Sequence, residues 1–199
     1  MPTFEYSGGA LCLDFANTWG DRNDPGNDKL GSYRDLLEWA DGAGLVDKRE
    51  RSELEKLAHR EPSRAEGVLR TALELRDVVF RICANVAAGE APNPRDVTRL
   101  NTALDAVPRQ RLCCSGSCCE WEWPAGTPDL RRPMWPVIQS AAELVTSPEI
   151  SRVRQCAAPD CNWLFLDTSR GGRRRWCDMS TCGNRAKARR YYERHHRNT

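Results

Sequence analysis

Two cysteine pairs constrain this chain more than any other feature. Cys156 and Cys161 enclose four residues, Cys177 and Cys182 enclose four, and fifteen residues lie between the pairs. Thiolate sulfurs are soft donors, and four of them around one ion make a closed tetrahedral site that suits Zn²⁺. A closed site keeps no position for a reacting water, so its role is structural. Ligand pairs commonly enclose about two to four residues, which places both pairs at the long end of the range. The competing reading is a pair of disulfides in a secreted domain. The opening residues, MPTFEYSGG, carry no basic-then-apolar leader pattern, so a reducing, cytoplasmic setting and a metal are expected instead.

The residues around the pairs predict a small zinc module. Trp163-Leu164-Phe165-Leu166 reads as a strand and Thr168-Ser169-Arg170-Gly171-Gly172 as a turn. Arg173-Arg174-Arg175-Trp176 leads back to the third cysteine, which suggests a hairpin between the pairs. After Cys182 the composition turns Ala-, Lys- and Arg-rich and favours a helix, with Ser180 or Thr181 as its cap. Knuckle, hairpin and helix in that order is a treble-clef-like or zinc-ribbon arrangement. So little apolar surface cannot hold a fold alone, and the metal would supply folding free energy directly.

Cys182-Gly183-Asn184-Arg185 spells the signature of the CGNR zinc finger family. Cys156, Cys161, Trp163-Leu164-Phe165, Asp167, Ser169-Arg170, Arg174-Arg175-Trp176-Cys177, Met179 and Lys187 resemble that family as well. The resemblance implies one structural zinc per chain and a DNA-binding transcription regulator. It also implies an N-terminal helical domain called ABATE, described as a stress-induced transcription regulator region. Gly9 onward, with Leu13-Asp14-Phe15 and Asn17-Thr18, resembles the start of ABATE. That implies a helix where periodicity alone leaves strand and helix open. Asp14 and Asn17 are candidate ligand contacts, although capping or satisfying backbone around a buried helix is the stronger reading.

Charge divides the chain as the motifs do. Residues 151–199 hold twelve Lys/Arg against four Asp/Glu, and residues 1–150 hold eighteen against twenty-four. A basic block on an acidic body points to a polyanion partner for that block alone, with the body helping to orient it. We therefore expect an ABATE-like domain at 1–150 and a zinc finger at 151–199. No apolar run is long enough for a membrane span.

Within the first part, residues 20–31 read as a loop and Ser32 as the cap of a helix bearing Leu36, Leu37, Trp39 and Ala40, ended by Gly42 and Gly44. Further helices are expected over Lys48–Arg60, Ser63–Ala88, Arg95–Ala106 and Trp135–Val145. Cys83 falls on the inner stripe of its helix, and His59 on a charged surface. Residues 124–133 read as a linker. No nucleophile–base pair, phosphate loop or paired-carboxylate motif is present, so no catalytic residue is assigned and no enzyme activity is expected.

Residues 109–123, RQRLCCSGSCCEWEW, read as a hairpin turning at Ser115-Gly116. That register sets Cys113 opposite Cys118 and Arg111 opposite Glu120, and packs Leu112, Cys114, Cys119, Trp121 and Trp123 on one face. A second metal site at Cys113, Cys114, Cys118 and Cys119 is the weaker reading, and a labile Cys113–Cys118 disulfide the minor one.

Nucleic-acid contacts are expected from Arg173, Arg174 and Arg175 on the zinc hairpin, and from Arg185, Lys187, Arg189, Arg190 and Arg194 on the helix. A rigid basic helix can enter a major groove, with phosphates supplying affinity and arginines reading guanine edges. Double-stranded DNA is thus the expected partner. A second copy of the chain, or a signal bound by the N-terminal domain, is a further candidate. The competing readings are arginines paired with the acidic body, and a zinc-stabilised RNA- or protein-binding adaptor.

Overall fold

The computed structural model describes residues 2–124, 126 and 128–196. Its longest helix, α4 (Pro62–Ala87), is the one against which the N-terminal helices pack. Around it lie α1 (Leu11–Ala16), α2 (Tyr33–Gly42), α3 (Lys48–Arg60), α5 (Pro94–Asp105) and, across α1 and α5, α6 (Trp135–Thr146). The architecture is mainly α, as expected, with two small antiparallel hairpins.

The helix boundaries follow from local chemistry. Ser32 accepts from the Asp35 N–H and starts α2. Asp47 and Glu50 form a reciprocal capping box on α3, which satisfies two otherwise orphaned donors. Pro62 and Pro94 stand at the first positions of α4 and α5, where no intrahelical N–H is needed. Leu13, Phe15, Leu36, Trp39, Val78 and Ile82 are almost fully buried together and make the main core. Cys83 is buried among them, and its thiol is pushed up by desolvation. The expected loop at 20–31 is tied down by Asp28, which takes both Nη atoms of buried Arg76 of α4 at 2.6 Å. Of the 124–133 linker, positions 125 and 127 lie outside the described residues. The rest of that segment carries Leu130, fully buried, whose carbonyl accepts from the Tyr33 hydroxyl.

The first hairpin, β1 (Arg111–Ser115) and β2 (Cys118–Glu122), corrects the expected register by two residues. Cys114 pairs with Cys119 and Arg111 with Glu122. The turn is Gly116-Ser117, because Gly116 takes the positive φ (60°) a tight hairpin turn requires. A shift of two preserves faces, so Leu112, Cys114, Cys119 and Trp121 still share one side. That side is not packed: Leu112 and Trp121 are 58% and 65% exposed. The disulfide joins Cys114 to Cys119, not Cys113 to Cys118. Cys113 and Cys118 are free, and the four do not converge as metal ligands.

The second hairpin also departs from expectation. β4 (Leu164–Leu166) pairs with β3 (Val153–Gln155), upstream of the first cysteine, and not with the Arg173–Arg175 run. The reason is apolar alternation. Val153, Leu164 and Leu166 bury into the helical core, whereas three arginines offer nothing to bury. Phe165 points the other way, into a second cluster with the four metal-site cysteines, Ala158 and Trp163.

Candidate zinc centre and nucleic-acid interface

The four cysteines of the C-terminal segment converge. Cys156 follows β3 and Cys161 closes the knuckle at the hairpin tip. Cys177 ends the arginine-rich loop, and Cys182 lies in a single wide turn, Met179–Gly183, that opens into α7 (Asn184–His196). All four are buried, and their sulfurs lie within 4.8 Å of one another. Cys161 and Cys177 sulfurs are 3.7 Å apart and Cys177 and Cys182 sulfurs 3.6 Å. Thiolates about 2.3 Å from a tetrahedral ion have S–S edges of about 3.8 Å, so the donor set fits one Zn²⁺. The neighbouring Cys161 and Cys177 thiols hold Cys156 far below an ordinary thiol, and Cys156 in turn pushes Cys161 and Cys177 up.

Polar residues around the sulfurs fix their geometry. Arg185 Nη2 donates to Cys182 Sγ at 3.1 Å, and its guanidinium offsets the negative charge four thiolates leave on a zinc centre. Buried Asp167 accepts from Ser169 and from the Arg174 N–H, which fold the loop after β4; the Ser169 bond, first among these, holds its carboxyl below the usual range. Arg174 lies over the Phe165 ring and donates to the carbonyls of Trp176 and Cys177. Asp178, rather than Ser180 or Thr181, caps the turn leading to α7, accepting from the Thr181 N–H at 2.8 Å.

The free edge of β4 carries the link to the helices. Asn17, at the end of α1, presents its amide to the strand like a peptide group. Its Nδ2 donates to the Leu164 carbonyl and its Oδ1 accepts from the Leu164 N–H, both at 2.8 Å. The Leu166 N–H continues the pattern to the Gly8 carbonyl at 2.7 Å. Gly9, at φ 81°, allows this approach, since a Cβ there would stand 3.2 Å from Leu166 Cβ. The loop before α2 adds Arg22, whose N–H donates to Asn162 Oδ1 in the knuckle. Asp14 and Asn17 thus satisfy backbone groups, Asp14 by accepting from the Gly8 N–H.

The basic residues divide into two groups. Arg174 and Arg185 brace the zinc centre, and Arg189 joins Arg185 on the two oxygens of Asp160 in the knuckle, each at 3.0 Å. Arg190 turns its Nε to the Ala186 carbonyl but stays exposed. Arg173, Arg175, Lys187 and Arg194 are exposed and form no ion pair among the described residues, Arg175 lying over the Trp176 ring. Beyond buried Ala186 and half-buried Arg189, the described α7 side chains through His195 are exposed. Tyr191 and Tyr192 are among them.

Two known families match the chain, over separate stretches. Residues 9–148 match the family model ABATE, described as "Putative stress-induced transcription regulator". The chain belongs to the ABATE family. Residues 152–195 match the model of the CGNR zinc finger, so the cysteine tetrad is the zinc centre of that module and holds one structural ion. Among curated proteins, none matches the chain. No described helix of this ABATE family member is long and apolar enough to cross a membrane.

Sequence reasoning missed Asp160 and Asp178, and, though it gave Asn17 a backbone-satisfying role, it missed Leu164 as the partner. Asp178, three residues before Thr181, carries a helix-start signature that was legible. Asp160 beside the second ligand was legible only as a lone acid facing a basic helix. The partner of Asn17 has no local signal, because it lies 147 residues away.

Proposed function

We propose that this chain is a cytoplasmic, non-catalytic transcription regulator that docks α7 of its zinc module onto double-stranded DNA, while the helical domain receives a signal or mediates self-association. The observation that carries this reading is the exposed cation set Arg173, Arg175, Lys187 and Arg194, which forms no ion pair among the described residues. Cys182, in the turn that opens into α7, ties the start of that helix to the zinc centre, and the helical core lies on the other face of β4. In this reading Arg174, Arg185 and Arg189 position the surface, and Arg190 contributes through its exposed guanidinium. Exposed Tyr191 and Tyr192 favour a second reading, in which single-stranded RNA stacks on the same helix.

Fluorescence anisotropy of the zinc-loaded chain with random duplex DNA over a salt series tests it. Affinity should fall steeply with salt, by a slope of about 0.9 per phosphate contact. Replacing Lys187 and Arg194 by Glu should weaken binding and reduce that slope by about two, with zinc retained. A duplex affinity indifferent to salt and to both reversals would sink the DNA reading, and preference for single strands would move the assignment to RNA.

A further inference from the structure

We propose that the β1–β2 hairpin is a reversible thiol–disulfide exchange site, whose Cys114–Cys119 disulfide is opened by small-molecule thiols and closed again by their disulfides. This chemistry needs neither DNA nor the zinc centre. The ten cysteines of the chain divide by access. Cys156, Cys161, Cys177 and Cys182 are buried together on the zinc side. Cys12 and Cys83 are buried in the helical core, where desolvation pushes their thiols up, Cys12 to about 11. The thiolate is the species that exchanges, so neither takes part. The remaining four lie on the hairpin, with Cys114, Cys118 and Cys119 exposed and Cys113 half-buried.

The disulfide is placed to exchange rather than to hold the fold. It joins residues five positions apart, across a hairpin that the Gly116-Ser117 turn already closes, so it removes little chain entropy from the unfolded state. Every residue of β1 and β2 except Cys113 is exposed, so no core covers the sulfur–sulfur bond. Disulfides in a reducing cytoplasm are transient species of exchange chemistry rather than permanent links, and exposed ones are the labile ones. Opening takes two steps. A thiolate attacks one sulfur of the pair and forms a mixed disulfide, and the other cysteine leaves as a thiolate and takes up a proton. A second small-molecule thiolate then attacks the sulfur of the first, which gives a free disulfide and the dithiol hairpin. Two thiols are oxidised and one disulfide is reduced, and closing reverses both steps. The register favours the return: Cys114 stands directly opposite Cys119, so the ring closes between neighbours. Cys113 and Cys118 point to the other face, opposite Glu120 and Ser115 respectively, and lie diagonally from each other. The hydrogen bond with Glu122 also pushes the Cys113 thiol up.

Alkylation of the native, zinc-loaded full chain in glutathione buffers of graded ratio tests the site. The tryptic peptide from Leu112 to Arg131 carries all four hairpin cysteines, so its mass counts alkylated and glutathione-bearing thiols. The substitutions lie outside both cores. In Cys113→Ser/Cys118→Ser the peptide should pass from no alkylated thiols to two as reduced glutathione replaces oxidised. The ratio of dithiol to disulfide should rise about tenfold for each tenfold rise in the squared reduced over the oxidised concentration, the mark of an internal disulfide. In Cys114→Ser/Cys119→Ser, Cys113 and Cys118 should instead take up glutathione one at a time, following the first power of the reduced-to-oxidised ratio. Zinc content should stay constant throughout. A disulfide that survives excess reduced glutathione in the native chain and opens only in denaturant would overturn the proposal and make the bond structural. So would a pair that stays reduced in excess oxidised glutathione, an internal disulfide that persists in Cys114→Ser/Cys119→Ser, or zinc release over the range in which the hairpin titrates.

Discussion

The two cores on either side of β4 are held by different physics. The helical side buries some thirty apolar residues in one cluster, among them Phe15, Trp39 and Ile82. Its stability is distributed, and deleting one side chain removes only a part of it. The zinc side buries four cysteines with Ala158, Trp163 and Phe165, too little to fold without its ion. Its stability is concentrated at four sulfurs. What joins them is a strand of three residues that gives Leu164 and Leu166 to one core and Phe165 to the other. A distributed core next to a concentrated one means that loss of metal acts like a switch on one side and a perturbation on the other.

The largest expected effect tests that contrast directly. Cys177→Ser should remove most of the metal's contribution, roughly 10 kcal/mol for a structural zinc site. Hydrogen exchange should then show residues from Cys156 onward unprotected while α2, α3 and α4 keep their protection. Collapse of α4 protection along with the module would show that the shared strand makes the two cores one cooperative unit.

The next effect lies on the joining strand. Asn17→Ala leaves the Leu164 N–H and carbonyl buried without partners, at a cost of about 2–4 kcal/mol. If β4 couples the cores, the variant should lose stability in urea and also bind zinc more weakly in a chelator competition. Loss of stability with zinc affinity unchanged would show that Asn17 serves the helical side alone.

These two sites also show what a sequence can and cannot disclose. The cysteine spacing, the amphipathic stripes of α2 through α6 and the Ser32 cap are local patterns, and local patterns were legible almost to the residue. The hairpin at 109–123 was legible in its faces but not its register. Alternation determines faces, whereas the position of Gly116 in the turn determines register. The Asn17–Leu164 pairing and the Arg76–Asp28 pair were not legible, because buried polar groups choose partners by proximity in space. The same holds for the basic block. Its composition announced a cationic surface, but only geometry separates Arg174, Arg185 and Arg189, which brace the module, from Arg173, Arg175, Lys187 and Arg194, which face outward.

A smaller effect should separate bracing from binding arginines. Arg185→Gln removes the positive charge beside Cys182 and frees Asp160 of one partner. Zinc affinity should fall about 10–100-fold, the usual cost of losing a group that supports a ligand. Lys187→Gln, two residues on and facing outward, should leave zinc affinity unchanged. Equal zinc affinity in both variants would remove Arg185 from the metal's support.

The smallest effect distinguishes the cores by pH. Thiols must lose protons to hold zinc, so the zinc side weakens as pH falls. Asp14 acts in the opposite sense. Burial pushes its carboxyl up to about 6, partly offset by the bond from the Gly8 N–H. A folded-state value above the unfolded one means that folding favours the protonated acid. That contribution is complete below about pH 4 and is lost as pH rises through about 6. Asp14→Asn keeps an acceptor for Gly8 and removes the ionisation. Relative to the parent chain it should gain about 1 kcal/mol at pH 7.5, a figure reduced because Asp14 is partly solvated, and gain less at pH 5.5. Zinc contributions cancel in the difference, since the substitution lies on the helical side of β4. Urea unfolding at the two pH values measures it, and a difference independent of pH would show that Asp14 is solvated well enough to titrate normally.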